Sequence, residues 1–208
     1  MRKSVLVVVL MSASCLLAQD LKPLPLPQPQ TDGGRPLMQV LKDRKTSRDF
    51  AADKLSPQIL SNLLWAAFGV NRPDGRRTAP SAMNRQEMDV YVATVDGLFL
   101  HDAKGNRLEA VLAQDVRAAT GTQSFAATAP LDLVYVADLS KAGSGPDADL
   151  YTAADTGFIA QNVYLFCASE GLATVVRGSI DRAALAKAMK LRPEQKIILA
   201  QTVGYPKK

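Results

Sequence analysis

Asp43-Arg44-Lys45-Thr46-Ser47-Arg48 is the densest polar run of the chain, with three cations and two hydroxyls in the five residues from Arg44. It follows a short apolar pattern at helical spacing, Leu37, Val40 and Leu41, which begins just after Pro36, a residue tolerated in a first helical turn. In extended backbone Arg44, Thr46 and Arg48 share one side. Such a row suits a phosphate dianion and neighbouring hydroxyls, because guanidinium groups donate paired hydrogen bonds to phosphate oxygens. The same cations also suit a helix C-terminus, where unpaired carbonyls attract positive charge. Physics alone leaves both readings open.

Working outward, the punctuation is clear. Ser56 can cap a helix, Pro57 follows, and Ile59, Leu60, Leu63, Leu64 and Ala67 form one apolar face that ends at Gly69. Residues 88–95 are β-rich, and Asp96-Gly97 reads as a two-residue turn before Leu98-Phe99-Leu100. A second strand is expected over 131–137, the longest helix over 147–170, and short strands over 173–176 and 196–203. Asp181 can cap a helix over 182–189. Helices and strands interleave without a regular βαβ rhythm, so the expected fold is α+β with a mixed sheet flanked by helices.

The N-terminus reads differently. Arg2-Lys3, the apolar run 5–10 and the small residues Ser12, Ala13 and Ser14 follow the three-part order of a secretory signal over residues 1–18. The run is too short for a stable membrane span. The alternative is lipidation at Cys15, although the preceding residues lack the usual aliphatic position. Export, to the periplasm, is the expectation. Residues 19–35 carry Pro23, Pro25, Pro27 and Pro29, which forbid a helix and favour extended backbone. This segment reads as a spacer, or else as an arm laid on a partner subunit. The domain proper covers 36–208. Loss of Arg2 and Lys3 leaves 23 basic against 20 acidic residues, a net charge of +3 that gives no reason to expect nucleic acid or a membrane surface as partner.

Absences narrow the chemistry. His101 is the lone histidine, and cleavage leaves Cys167 as the lone cysteine, within an apolar helical run that marks it as core. A zinc site and a Ser-His-Asp arrangement both lack residues. No Gly-x-Gly-x-x-Gly fingerprint or phosphate loop occurs. If the protein is an enzyme, its reactive group is borrowed from an organic cofactor. Thr78-Ala79-Pro80-Ser81-Ala82-Met83-Asn84-Arg85-Gln86, just before a strand, is a second polar cluster able to bond a flat heterocycle, or simply a capped turn.

Taken together these residues resemble the nitroreductase superfamily of FMN enzymes. Arg44-Lys45-Thr46-Ser47-Arg48 looks like its opening Arg-x-Ser/Thr-x-Arg/Lys signature. It is followed, in the family's order, by Leu64-Trp65-Ala66-Ala67-Phe68-Gly69-Val70-Asn71-Arg72 and Pro80-Ser81-Ala82-Met83-Asn84. Glu170-Gly171-Leu172-Ala173-Thr174 and Val203-Gly204-Tyr205-Pro206 complete the set. The spacing is closest to the SagB/ThcOx-type subgroup, named after a dehydrogenase of thiazole and oxazole peptide maturation.

The resemblance implies an α+β homodimer with FMN at the subunit interface. Arg44, Lys45 and Thr46 fall in the motif that holds the phosphate and ribityl chain, and Arg48 lies near the pyrimidine edge. Pro80, Ser81 and Asn84 reach over from the other subunit. Val176, Arg177 and Gly178 lie along the ring, with Arg177 where many relatives carry an acidic residue, adding positive charge near the flavin. Lys207 supplies a second phosphate cation. The implied activity is two-electron hydride transfer through flavin N5 to a small electrophile such as a nitroaromatic or quinone, with NAD(P)H as the usual donor. The absence of a side-chain acid or base is expected for that chemistry. Export separates the protein from the cytoplasmic nicotinamide pool, so a flavin dehydrogenase and a non-catalytic flavin-binding protein stand as alternatives.

Overall fold

Leu131-Asp132-Leu133-Val134-Tyr135-Val136-Ala137-Asp138 forms a strand buried along its whole length, and its alternation divides the core in two. Leu131, Leu133, Tyr135 and Ala137 join a large cluster with the helical residues Leu63, Leu64, Ile159 and Val163. Val134 and Val136 face the other way, against Leu185 and Met189. A strand of period two with apolar residues on both sides must be covered on both faces, and here helices cover each.

The computed structural model describes residues 21–143 and 145–208; the leader expected at 1–18 and the first two residues of the Pro-rich segment lie outside them. In chain order the strands are β1 (Leu24–Pro25), β2 (Met88–Thr94), β3 (Gly97–Asp102), β4 (Arg107–Leu112), β5 (Leu131–Asp138), β6 (Ala173–Arg177) and β7 (Gln195–Gly204). The helices are α1 (Leu37–Asp43), α2 (Pro57–Phe68), α3 (Phe125–Thr128), α4 (Leu139–Ala142), α5 (Ala148–Glu170) and α6 (Arg182–Met189). The sheet runs β1-β4-β3-β2-β5-β7-β6. Every pair among these strands is antiparallel, which corrects the expected mixed sheet. The connection through α4 and α5 crosses from β5 to β6, which runs parallel to β5 but one strand removed, and α6 then returns the chain as β7, antiparallel between the two.

The helix boundaries follow the expected caps. Ser56 Oγ accepts from the Ile59 amide at 3.2 Å, with Pro57 in the first turn. Asp181 accepts from the Ala184 amide at 3.0 Å. Helix α5 stops at Gly171, whose φ of 69° is the left-handed conformation that glycine adopts without strain. The hairpin differs by one residue from the sequence reading. Thr94 pairs with Gly97, so Val95-Asp96 form the turn and Gly97 opens β3 with a φ of 148°.

The Pro-rich segment is packed on its own domain. Leu24 and Pro25 pair with β4, and Leu26 is buried. The Pro27 carbonyl accepts from Ser61 Oγ (2.5 Å) and Asn106 Nδ2 (2.8 Å), and the Gln30 amide donates to Asn62 Oδ1 at 2.8 Å. Prolines lack an amide donor but keep their carbonyls, so side chains from α2 and the β3–β4 turn do the stitching. Among the described residues no helix is long and apolar enough to cross a membrane.

Candidate functional site

Strand β6 is the free edge of the sheet, and the segment after α1 runs along it. The Ser47 amide donates to the Thr174 carbonyl at 3.0 Å, the Ala51 amide to the Tyr205 carbonyl at 2.9 Å, and the Lys207 amide to the Asp49 carbonyl at 3.2 Å. Phe50 and Pro206 add an antiparallel bridge. These bonds bring the 44–48 segment, Val176 and Lys207 to one edge. Thr46, Arg48 and Lys207 are exposed and Arg44 is half-buried. Among the described residues Arg44, Lys45, Arg48 and Lys207 enter no ion pair, although many other cations of the chain do. Unpaired cations and a hydroxyl along a sheet edge are a donor set suited to an anion.

Tyr164 of α5, which sequence reasoning missed, stands at the centre of this edge. Its hydroxyl lies 3.0 Å from Thr46 Oγ1 and accepts from the Val176 amide at 3.1 Å, while the Arg44 guanidinium lies over its ring at 5.4 Å. In the sequence, Tyr164 reads as one more large residue in an apolar helical run. Nothing in periodicity separates a tyrosine that reaches a sheet edge from one that fills the core.

Lys45 goes elsewhere. With Asp43, Ser47 and Tyr164 it lines a cleft of about 480 Å³ closed by Cys167, Leu172, Thr174 and Pro206. Arg44, Thr46 and Arg48 do not line it, as the alternation of extended backbone requires.

The second polar cluster is built as a strained loop. Met83, Asn84 and Gln86 all have φ near +50°, in the left-handed region that non-glycine residues seldom adopt. It is held by the Gln86 amide donating to Ser81 Oγ (3.0 Å), by Gln86 Nε2 donating to Asn84 Oδ1 (3.1 Å), and by the Arg85 guanidinium on the Ala142 carbonyl. The Ala82 amide donates to Asp155 Oδ2 of α5 at 2.9 Å. Beneath it Glu87 is buried with neither carboxyl oxygen bonded. Burial and the neighbouring Asp155 push its carboxyl up to about 7 against the opposing pull of Arg85. Pro80, Ser81 and Asn84 therefore sit at the Asp155 level of α5. Tyr164 and the cation edge lie about 13 Å further along the helix, at about 1.5 Å per residue.

Arg177 requires a correction. Its guanidinium faces the interior, donating to Asp132 Oδ1 (2.6 Å), to the Thr120 carbonyl (2.7 Å) and to Thr202 Oγ1 (3.0 Å), with both charged side chains essentially sealed from water. Alternation along β6 puts the Arg177 side chain on the face opposite Val176, so it adds no charge beside a ligand at the edge. Gly121 leaves the space it fills, since a Cβ there would stand 1.8 Å from Arg177 Nη1. Burial pulls the Asp132 carboxyl up to about 6 despite this partner. Cys167 is a buried core residue whose thiol burial raises, and burial beside Arg77 lowers His101 to about 4. No group of three or more metal-ligating side chains occurs among the described residues.

Solved structures share this antiparallel sheet and its flanking helices. A Ralstonia eutropha JMP134 protein provisionally described as a nitroreductase superposes with a TM-score of 0.86 at 42% identity, over 92% of either chain. The NADPH:FMN oxidoreductase of Vibrio harveyi, solved with NAD+, has the same fold at 18% identity, with a TM-score of 0.63 over 83% of this chain and 69% of its own. The class is thus the α+β nitroreductase fold. The nitroreductase family model matches residues 41–205, and the chain belongs to that family of oxidoreductases. A provisionally named nitroreductase of Methanocaldococcus jannaschii is 29% identical over 168 residues, 75% of this chain and 85% of that protein.

Proposed function

We propose that this protein is an exported, FMN-dependent oxidoreductase of nitroreductase type that works as a homodimer. The observation that carries the reading is the β6 edge, to which backbone hydrogen bonds bring the segments of Arg44, Thr46, Arg48 and Lys207, with none of the cations in an ion pair among the described residues. This donor set fits a phosphorylated flavin. Arg44, Thr46 and Lys207 would hold the phosphate and the start of the ribityl chain, Arg48 would face the pyrimidine edge, and the backbone of Val176, Arg177 and Gly178 would lie along the ring. Bound there, FMN would supply hydride acceptance and return at N5. The protein's part is to fix the ring, and Arg48 would stabilise the negative charge that reduction gathers on the pyrimidine.

Two further features support a second copy. Helix α5 leaves Leu150, Tyr151, Ala153, Ala154, Gly157 and Phe158 exposed on one face, and α1 leaves Leu37, Met38 and Leu41 exposed. A face of that composition is more apolar than a lone surface helix keeps. The 80–84 loop, tied to α5 at Asp155, belongs in this reading to the site of the partner, where Pro80, Ser81 and Asn84 would complete the pocket. The motif spacing favours the peptide-maturation-type subgroup, and an open edge suits a flat electrophile such as a quinone or nitroaromatic. The leader at 1–18 is read as an export signal, to the periplasm, so NAD(P)H serves as donor only where it can reach the protein.

The visible spectrum of the purified protein tests this. Flavin absorption, native or after adding FMN, is expected; none at all would end the proposal. Anaerobic mixing with NADH or NADPH then asks for bleaching, and failure with both would point to another donor. Arg44→Ala should weaken FMN binding by about 1.5–3 kcal/mol, the worth of a charged hydrogen bond. Unchanged affinity would place the phosphate elsewhere.

A further inference from the structure

The Val176 amide lies on the free edge of β6 and can only donate, so at 3.1 Å the Tyr164 oxygen is its acceptor. That oxygen carries a single hydrogen. Among the described residues its remaining partner is Thr46 Oγ1 at 3.0 Å. Either direction leaves one hydroxyl hydrogen for solvent, and Thr46 is exposed whereas Tyr164 is half-buried, so the hydrogen given to water is that of Thr46. The consistent arrangement is a one-way chain from the Val176 amide to the Tyr164 hydroxyl to Thr46. Thr46 Oγ1 then accepts, and its own hydrogen turns away from Tyr164 towards solvent, where the residue is exposed. The same ring carries the Arg44 guanidinium on its face at 5.4 Å, a cation–π contact that limits where that side chain rests.

We infer that Tyr164 is a positioning residue that makes Thr46 a hydrogen-bond donor and holds Arg44 beside it, preparing this edge for a phosphate monoester. The inference rests on the FMN reading above and adds to it a source of discrimination. Thr46 with an outward hydrogen meets an oxygen that only accepts, which a phosphate dianion offers. Riboflavin ends in a hydroxyl, which accepts less strongly and brings no charge to Arg44. The edge strand sets the direction of the chain, because an amide cannot reverse its role.

The test compares FMN with riboflavin, each titrated by flavin fluorescence against the protein as it accumulates in the expressing cell. Tyr164→Phe removes the hydroxyl and keeps the ring, and should weaken FMN about 10-fold while moving riboflavin less than about two-fold. Thr46→Val should give a comparable loss at an exposed position where folding is not at stake. Thr46→Ser, which keeps the donor, should stay within about two-fold of the parent. The double variant should lose less than the product of the two single losses, because both break one chain. Equal weakening of FMN and riboflavin in Tyr164→Phe, or full additivity with Thr46→Val, would reduce Tyr164 to a packing residue and overturn the inference while leaving the FMN reading intact. Parent protein that binds neither flavin would overturn both.

Discussion

At the scale of single residues, two of the buried acids, Asp132 and Glu87, have opposite consequences. Asp132 is paired with Arg177, and taking the arginine away strands a carboxylate in the core. Arg177→Ala should therefore destabilise the fold by about 3–5 kcal/mol in chemical denaturation. It should leave FMN affinity of the folded fraction unchanged, because the guanidinium points away from the edge; a large affinity loss would restore Arg177 to the site. Glu87 has no such partner. Its folded value of about 7 stands above the ordinary 4.5, so the folded state favours the protonated, neutral form, which needs no partner for a buried charge and is not repelled by Asp155. The stability this contributes is fully present below the ordinary value and disappears as pH rises through about 7. The thermal midpoint of the parent should fall between pH 5.5 and 8.5 relative to that of Glu87→Gln, which keeps an uncharged donor throughout. Parallel curves would mean that Glu87 finds other compensation. Sequence reading marked Arg177 as a departure from the family pattern, yet it could not say which face of β6 the side chain takes, nor that Asp132 waits two strands away on the same face of the sheet.

Among the elements, the Pro-rich segment and α5 explain what was legible and what was not. Ser56, Pro57 and Gly69 announced α2, and Asp181 announced α6, because caps are local and depend on a few residues. β5 was legible over 131–137 from its run of Leu, Val and Tyr, one residue short of its end at Asp138. β1 and β4 were not, since β4 is half-exposed and β1 is only two residues, paired with β4 alone. Proline content alone suggested a spacer. It could not reveal that Asn106, itself left-handed at φ 47°, donates to the carbonyls of both Leu26 and Pro27. Asn106→Ala should release the segment at a cost of about 1–3 kcal/mol, leaving carbonyls unpaired. Limited proteolysis should then cut near Lys22 faster in the variant than in the parent. An unchanged cleavage rate would show that Leu26 burial and the Ser61 bond suffice.

For the whole molecule, the order of motifs was readable but their distribution in space was not. The 44–48 segment, Val176 and Lys207 meet through backbone bonds along β6, whereas 80–84 hangs from α5 at Asp155. Sequence spacing contains no information about which end of a helix a loop docks on; in this case the resemblance supplied the idea of a second subunit. If two copies pack through the exposed face of α5, the small residues Ala154 and Gly157 are where the helices approach most closely. Within its own chain Gly157 is open, since a Cβ there meets nothing within 4 Å. Gly157→Arg should therefore leave the isolated subunit folded, with a far-ultraviolet dichroism spectrum like the parent's, but force the two helices apart. Sedimentation should show a dimer for the parent and a monomer for the variant, and FMN affinity should drop with dimerisation because Pro80, Ser81 and Asn84 are withdrawn together. A variant that becomes monomeric yet keeps parental FMN affinity would place the whole flavin site within one chain. One that stays dimeric would move the interface off this face of α5, and the exposed α1 residues Leu37, Met38 and Leu41 would become the next surface to alter.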